Sequence, residues 1–357
     1  MNSFELREGV KSILGKGDIE ALGSMDKPTV FHIAGEDSSK AVLISTLIHG
    51  TEPAGFRAFL REAAKGSTYA HDVYFLVGNV EAAKTPVDGK YFSHRDVPGA
   101  PRAGLYDMNR IWDGRNRERL EQTEIGRRLY QTGQELRAYF ASLPLLGFFD
   151  IHSFMSREIQ AHGCIPHTDD ETIQLMRVIG QRAFVVDFGL GTLLESMATQ
   201  TPSVLLESGV NGTPIADACA YEAIQRFFRA RGIIPAKEMD PHLCKHWYHK
   251  GIQFKVGNDV PIAFRNTRSA DAELTLFPHI ERLNHKRIYP GTPLGFADSL
   301  DVVVTEDPQG RKVEDYFFLN NGILRIKKSV VPNFLNAHEQ RMKGGGFYFF
   351  EEFTPSL

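Results

Sequence analysis

The sequence predicts an α/β fold: a mixed, mostly parallel sheet flanked by helices, followed by a small C-terminal β-rich domain. Three observations predict it. Over the first two thirds of the 357 residues, apolar runs of strand length alternate with stretches of helical period. Two of those runs, Ala41–Ile48 (AVLISTLI) and Leu145–His152, are continuous rather than alternating, as strands covered on both faces are. Beyond about Lys250 the helical period fades, and short apolar segments are separated by Gly, Pro, Asn and Asp.

In chain order, Ala41–Ile48 is a strand. Pro53 then suits the first turn of a helix over Gly55–Lys65, which ends near Gly66. Val73–Val80 is a second strand, Gln122–Ser142 a long helix and Leu145–His152 a third buried strand. Asp170–Phe184 is helical in pattern, Phe184–Phe188 and Ser203–Glu207 are short strands, and Pro214–Arg231 is a helix. This βα alternation implies parallel pairing with helices on both faces. Gly232–Asp240 reads as a linker, which divides the chain into residues 1–236 and a β-rich part over 237–357. Its short strands are expected at Ile252–Val256, Leu274–Phe277, Val302–Thr305 and Tyr316–Leu319, and the glycines at 344–346 permit a turn into a last aromatic strand at Phe347–Phe350.

Composition narrows the function. Lys and Arg total 41 against 44 Asp and Glu, a net charge of −3, which argues against a nucleic-acid partner. Met1–Gly23 carries Glu5, Glu8, Asp18 and Glu20 without an apolar run, unlike a secretory signal. The longest apolar run falls far short of the ~20 residues needed to cross a bilayer, so no membrane role is expected. Three cysteines, Cys164, Cys219 and Cys244, form neither a disulfide framework nor a paired zinc cluster. The expectation is a cytoplasmic, reducing-compartment protein. Its oligomeric state is left open.

Chemistry gathers where the strands end, the edge at which open α/β sheets build sites. The first strand runs into His49-Gly50-Thr51-Glu52, the third ends at His152, and Ser203–Leu206 ends at Glu207. Two histidines and one glutamate are the protein ligands of a catalytic zinc with one position left to water. A further carboxylate that does not bind the metal can carry the proton. An isolated H-x-x-E also occurs at ordinary capped helix starts; the joint pattern, with each group closing a separate apolar strand, carries the inference. Arg102 and Asp107-Met108-Asn109-Arg110 follow in a Gly/Pro-rich loop after the second strand. The clusters His162/Cys164/His167 and His242/Cys244/His246/His249 have poor spacing for a second metal site.

These segments resemble the succinylglutamate desuccinylase/aspartoacylase family, whose fold is similar to that of zinc carboxypeptidases. The matching pieces are His49-Gly-Thr-Glu52, Val77-Gly-Asn-Val80, Asp107-Met-Asn-Arg110, Asp150-Ile-His152 and Leu206-Glu207-Ser-Gly209. The resemblance covers about Ala41 to Arg231 well and the tail loosely. It implies a zinc carboxypeptidase-like fold and one Zn²⁺ per chain on His49, Glu52 and His152. It further implies Glu207 as general base and acid, Arg102 polarising the scissile carbonyl, and Asn109 with Arg110 gripping a substrate carboxylate. The implied reaction is hydrolysis of a small N-acylated amino acid or related molecule. A carboxypeptidase acting on peptides and a non-catalytic binding protein on the same scaffold are the alternatives. One departure bears on substrate. The family's dicarboxylate-acting members carry an arginine ten residues before the catalytic glutamate; that position is Met197 here, and no Lys or Arg lies between Arg182 and Glu207. A less acidic substrate is expected.

Overall fold

A computed structural model describes residues 3–93, 107–154, 160–186, 189, 191–236, 243–305, 310–344 and 346–355. Gln160 aside, the described residues fall into two compact units, one up to Lys245 and the other from His246 on.

The first unit is built on an eight-stranded sheet. Its strands are β1 (Glu5–Glu8), β2 (Thr29–Ile33), β3 (Asp37–Thr46), β4 (His71–Val77), β5 (Leu145–Phe154), β6 (His162–Ile165), β7 (Arg182–Val185) and β8 (Ser203–Val210). Their order is β1-β2-β4-β3-β5-β8-β6-β7. The β2–β4 and β6–β8 pairs are antiparallel and the others parallel. The sheet is thus mixed and mostly parallel, as expected.

Register decides what each face packs against. Leu43 pairs with Tyr74 and Phe148, and Ile44 with Phe75 and Phe149. The Leu43 and Phe148 face belongs to a core cluster with Leu129, Leu136 and Phe140 of the long helix over Glu124–Ala141. The opposite face stacks Phe75 on Phe59 and Phe149 on Phe227, from two further helices. A strand buried this way on both sides has no polar register to keep, which is why β3 reads as an uninterrupted apolar run from Ala41.

The helices of this unit are α1 (Asp18–Gly23), α2 (Ala54–Ala63), α3 (Val80–Lys84), α4 (Arg117–Leu120), α5 (Glu124–Ala141), α6 (Asp170–Ile179), α7 (Leu193–Met197) and α8 (Pro214–Ala230). Side chains define several of the starts. Thr123 caps α5 and Thr213 caps α8 ahead of Pro214, while Asp169 caps α6, each accepting from a backbone N–H in the first turn.

The structure corrects several boundaries: β3 ends at Thr46 rather than Ile48, β5 runs on to Phe154 and β8 to Val210. The helical pattern over Asp170–Phe184 stops at Ile179: Gly180 takes an extended conformation as C-cap, and the apolar Arg182–Val185 becomes β7 instead. The strand expected to reach Val80 ends at Val77, because Asn79 accepts from Ala82 N and starts α3.

The second unit holds β9 (His246–Val256), β10 (Ile262–Phe264), β11 (Leu274–Leu276), β12 (Pro293–Ala297), β13 (Val303–Val304), β14 (Phe317–Asn320), β15 (Ile323–Ile326), β16 (Val331–Asn333), α9 (Glu339–Gly344) and β17 (Phe347–Phe353). One layer has β9-β17-β16, with β13 also on β9; the other runs β10-β11-β12-β15-β14. Ile252, Phe254, Leu274, Leu324, Phe347 and Phe349 share one core between them. Asn321 and Gly322, both with positive φ, close the β14–β15 hairpin in the left-handed backbone that a two-residue turn requires. The expected short strands and the last aromatic strand are present.

Candidate metal centre

The first site residue is positioned by a strained turn. Immediately after β3, the fully buried Leu47 has φ 53°, a left-handed conformation that costs a non-glycine residue about 1–3 kcal/mol. The loop after β4 holds it there: Asn79 N donates to the Leu47 carbonyl at 2.6 Å and Gly78 N to the Thr46 carbonyl at 2.9 Å. A Cβ on Gly78 would sit 2.9 Å from the tip of the Ile48 side chain and 3.2 Å from the Leu47 carbonyl oxygen, so a larger residue would crowd this approach. The chain leaves the sheet, and Glu52 N bonds the His49 carbonyl at 3.1 Å in the next turn. Pro53 is the N-cap of α2, which fixes Glu52.

His152 comes from β5, two residues after Asp150 and therefore on the same face of the strand. His49 Nδ1 lies 2.9 Å from Glu52 Oε1, and His152 Nδ1 lies 2.8 Å from Glu52 Oε2. The outer nitrogens are also held: His49 Nε2 is 3.1 Å from Asp107 Oδ1, and His152 Nε2 is 3.0 Å from Asp150 Oδ2. Asp150 is steadied by Ser45 Oγ, which donates to its Oδ1 at 2.5 Å. All five of these imidazole and carboxylate groups are buried.

This arrangement fits a metal ion. One ligand atom each from His49, Glu52 and His152 lies within 4.8 Å of the others. Two nitrogens and one oxygen are the protein donors of a catalytic zinc site. An ionised carboxylate accepts only, so each outer Nε2 must carry a proton, which turns Nδ1 inward as the ligating atom. Among the described residues no other trio of His, Cys, Asp or Glu converges this way. His162 and Cys164 are buried on β6, His167 is exposed, and His242 lies outside the described residues.

Electrostatics ties the trio together. Burial alone raises the Glu52 carboxyl, but the charges and hydrogen bonds of His49 and His152 overcome it and hold it far below the usual carboxylate range. Burial lowers His152, yet the flanking Asp150 and Glu52 carboxylates outweigh that and raise it well above the ordinary histidine value. In the absence of metal, Glu52 therefore stabilises the fold above the usual carboxylate pKa, and that contribution is lost as pH falls through its depressed value. His152 stabilises below the usual histidine pKa, and its contribution is lost as pH rises through its elevated value. A metal ion must displace the Nδ1 proton. Zinc affinity is expected to go on climbing as pH rises past the ordinary histidine pKa and through the elevated value of His152, with proton release on binding. Calorimetry in buffers of different ionisation enthalpy measures this. Asp150→Asn, which preserves shape but removes the anion behind His152, is expected to weaken zinc binding about 10–100-fold in a chelator competition.

Glu207 stands beside this trio. It is the register partner of His152 across the parallel β5–β8 pair, so the two side chains emerge on the same face of the sheet. It is half-buried. Asn109 and Arg110 lie in a 3-10 turn over Met108–Arg110 whose N-cap is Asp107: the carboxylate that holds His49 also accepts from Asn109 N at 2.7 Å. Asn109 Oδ1 accepts from Leu193 N at 3.0 Å. Its amide nitrogen is the end left to donate. Arg110 is partly exposed and donates to the Asn109 carbonyl. Arg102 lies outside the described residues.

Two residues of α7 bear on the departure at position 197. Met197 is fully buried, packed with Met108, Ile111, Trp112 and Leu193 in the core rather than facing a ligand. Glu195 forms the capping box of α7 with Thr192 and accepts from Gly189 N, so its carboxylate is engaged in closing that turn. The outer carboxylates Asp107 and Asp150 were not assigned as histidine partners from sequence. The D-x-H spacing on a strand was the available signal for Asp150; for Asp107 there was none.

No family model and no curated protein matches the chain in sequence. Solved structures of the succinylglutamate desuccinylase/aspartoacylase family share its fold over most of its length. A succinylglutamate desuccinylase/aspartoacylase from Rhodobacter sphaeroides superposes with a TM-score of 0.59 at 13% identity, covering 91% of this chain and 89% of its own. A succinylglutamate desuccinylase from Silicibacter gives 0.52 at 13% identity, covering 93% and 85%. The product-bound ectoine utilization protein EutE (DoeB) from Ruegeria pomeroyi gives 0.50 at 13% identity, covering 85% and 82%. At these identities the likeness is one of fold.

Proposed function

We propose that the protein is a zinc-dependent hydrolase that cleaves the amide bond of a small N-acylated amino acid or a related molecule. One observation carries the reading: two imidazoles, each backed by an aspartate, turn their inner nitrogens onto a shared buried glutamate, with Glu207 in register beside one of them. His49, Glu52 and His152 would hold the ion. When bound, zinc supplies Lewis acidity that activates water near neutral pH.

The remaining work falls to side chains. Glu207 takes a proton from the attacking water as the new C–O bond forms. It passes that proton to the nitrogen as the C–N bond breaks, so the amine departs neutral. Arg102 is assigned to offset the charge that develops on the carbonyl oxygen. Asn109 and Arg110 grip the substrate carboxylate; a planar guanidinium suits this because it can bind both oxygens.

The substrate carries one such carboxylate and no second anion. The position where dicarboxylate-acting members place an arginine holds the core residue Met197, and α7 contributes an engaged Glu195 instead. Three free cysteines agree with a reducing, cytoplasmic setting.

The test is a hydrolysis screen of zinc-loaded protein against N-acyl amino acids that vary in acyl charge and side chain, with C-terminal dipeptides alongside. Turnover of N-acetylated neutral or basic amino acids is expected. Preference for N-acetylaspartate or N-succinylglutamate would contradict the Met197 argument, and preference for the peptides would favour a carboxypeptidase. Bound zinc with no turnover would leave a binding role.

A further inference from the structure

The apolar run that forms β3 is interrupted by two hydroxyl side chains, and the fold uses them differently. Thr46 Oγ1 donates to the Leu76 carbonyl of the neighbouring strand at 3.2 Å, a bond that serves the sheet. Ser45 is fully buried and in register with Asp150 of β5, so the two side chains share the face that also carries Leu43, Phe148 and His152. A hydroxyl on so apolar a face costs free energy unless it is bonded. Its bond goes to Asp150 Oδ1 at 2.5 Å, while the other oxygen of the same carboxylate meets His152 Nε2 at 3.0 Å.

We propose that Ser45 is a positioning residue for the metal centre: acting through Asp150, its hydroxyl fixes the ring of His152 with Nδ1 turned inward and so sets the affinity of the site for its ion. The assignment deepens the hydrolase reading and rests on it for the presence of the ion.

The two histidines are not backed alike. Asp107, behind His49, caps a turn and accepts from the backbone of Asn109 at 2.7 Å as well as from the imidazole. Asp150 has no solvent exposure, and among the described residues the Ser45 hydroxyl is the one donor to its side chain besides His152. The torsion that turns a carboxylate plane is soft and roughly two-fold, so the bond at Oδ1 is what aims Oδ2 at the ring. That aim decides which nitrogen of His152 keeps its proton and which is left to face Glu52 and an ion, at 2.8 Å from Glu52 Oε2. The chain Ser45–Asp150–His152 is buried throughout and built on two paired strands, the rigid support that a precise metal ligand requires.

A mutant cycle and one spectrum test this. Ser45→Ala removes a single oxygen and is expected to weaken zinc binding about tenfold in a chelator competition, the lower end of what loss of an orienting partner costs. In an Asp150→Ala background there is no carboxylate to aim, and the same substitution is expected to change zinc affinity little, because residues that act in one chain are not additive. Independently of any ion, the ring-nitrogen resonances of His152 in ¹⁵N-labelled, metal-free protein are expected to move on Ser45→Ala while those of His49 stay in place. An unchanged affinity in Ser45→Ala overturns the proposal, as does an equal loss in the two backgrounds or a His152 signal that ignores the change. If the parent protein binds no zinc, the metal reading fails, and the metal-free spectra alone decide whether Ser45 holds His152.

Discussion

Glu207→Gln retains zinc and loses nearly all turnover. The exchange is almost isosteric and leaves the three metal-binding side chains and their aspartate partners in place. What it removes is the only function that the proposed chemistry asks of this residue, the movement of a proton from water to the leaving nitrogen. A positioned acid or base contributes typically about 10²–10⁴-fold, so kcat is expected to fall by that factor while metal analysis stays at one ion per chain. Steady-state rates on the best substrate from the screen, together with zinc content, check it. An undiminished rate would show that another group carries the proton.

His152→Ala has a different and broader consequence. On the proposed reading it removes a metal ligand, so zinc and activity are expected to go together. It also strands two buried carboxylates: Asp150 has no solvent exposure, Glu52 is nearly as buried, and this imidazole is a hydrogen-bond partner of both. Breaking a buried pair by removing one partner costs about 3–5 kcal/mol, because the charge left behind has no water to turn to. By comparison, the exposed Arg128–Glu81 and Arg117–Glu121 pairs belong to a class that contributes about 0–1 kcal/mol. Urea unfolding of metal-free protein near neutral pH is expected to show the larger loss. A variant that unfolds like the parent would mean that the pairs around His152 contribute little.

Much of the site was legible because His49 and Glu52 follow one apolar strand and His152 and Glu207 lie towards the ends of two others. His49, Glu52, His152 and Glu207 announce themselves by that position, and a strand covered on both faces is hard to mistake when it runs as far as AVLISTLI. The orienting layer was less legible. Sequence does not say which nitrogen of a histidine is engaged, and Asp107 lies 58 positions from the ring it holds. Four-residue strands were missed for a related reason. His162–Ile165 and Glu5–Glu8 are too short to display a period, and their pairing is decided by neighbours remote in sequence. The Ala183–Val185 stretch fits a helix or a strand equally by pattern, and the extended Gly180 settles it. Sequence marks Met197 as the place of a missing arginine; tertiary packing puts it in one core cluster with Trp112.

The carboxylate of Asp107 faces two ways, onto the outer nitrogen of His49 and onto the backbone of Asn109. Inorganic and organic recognition thus share one hinge pin. Whatever free energy the ion spends in locking that aspartate is returned to the turn that would receive the acid group, and thermodynamic reciprocity requires the converse by the same factor. A chelator and a competing carboxylate ligand would then be antagonists without ever touching the same atoms.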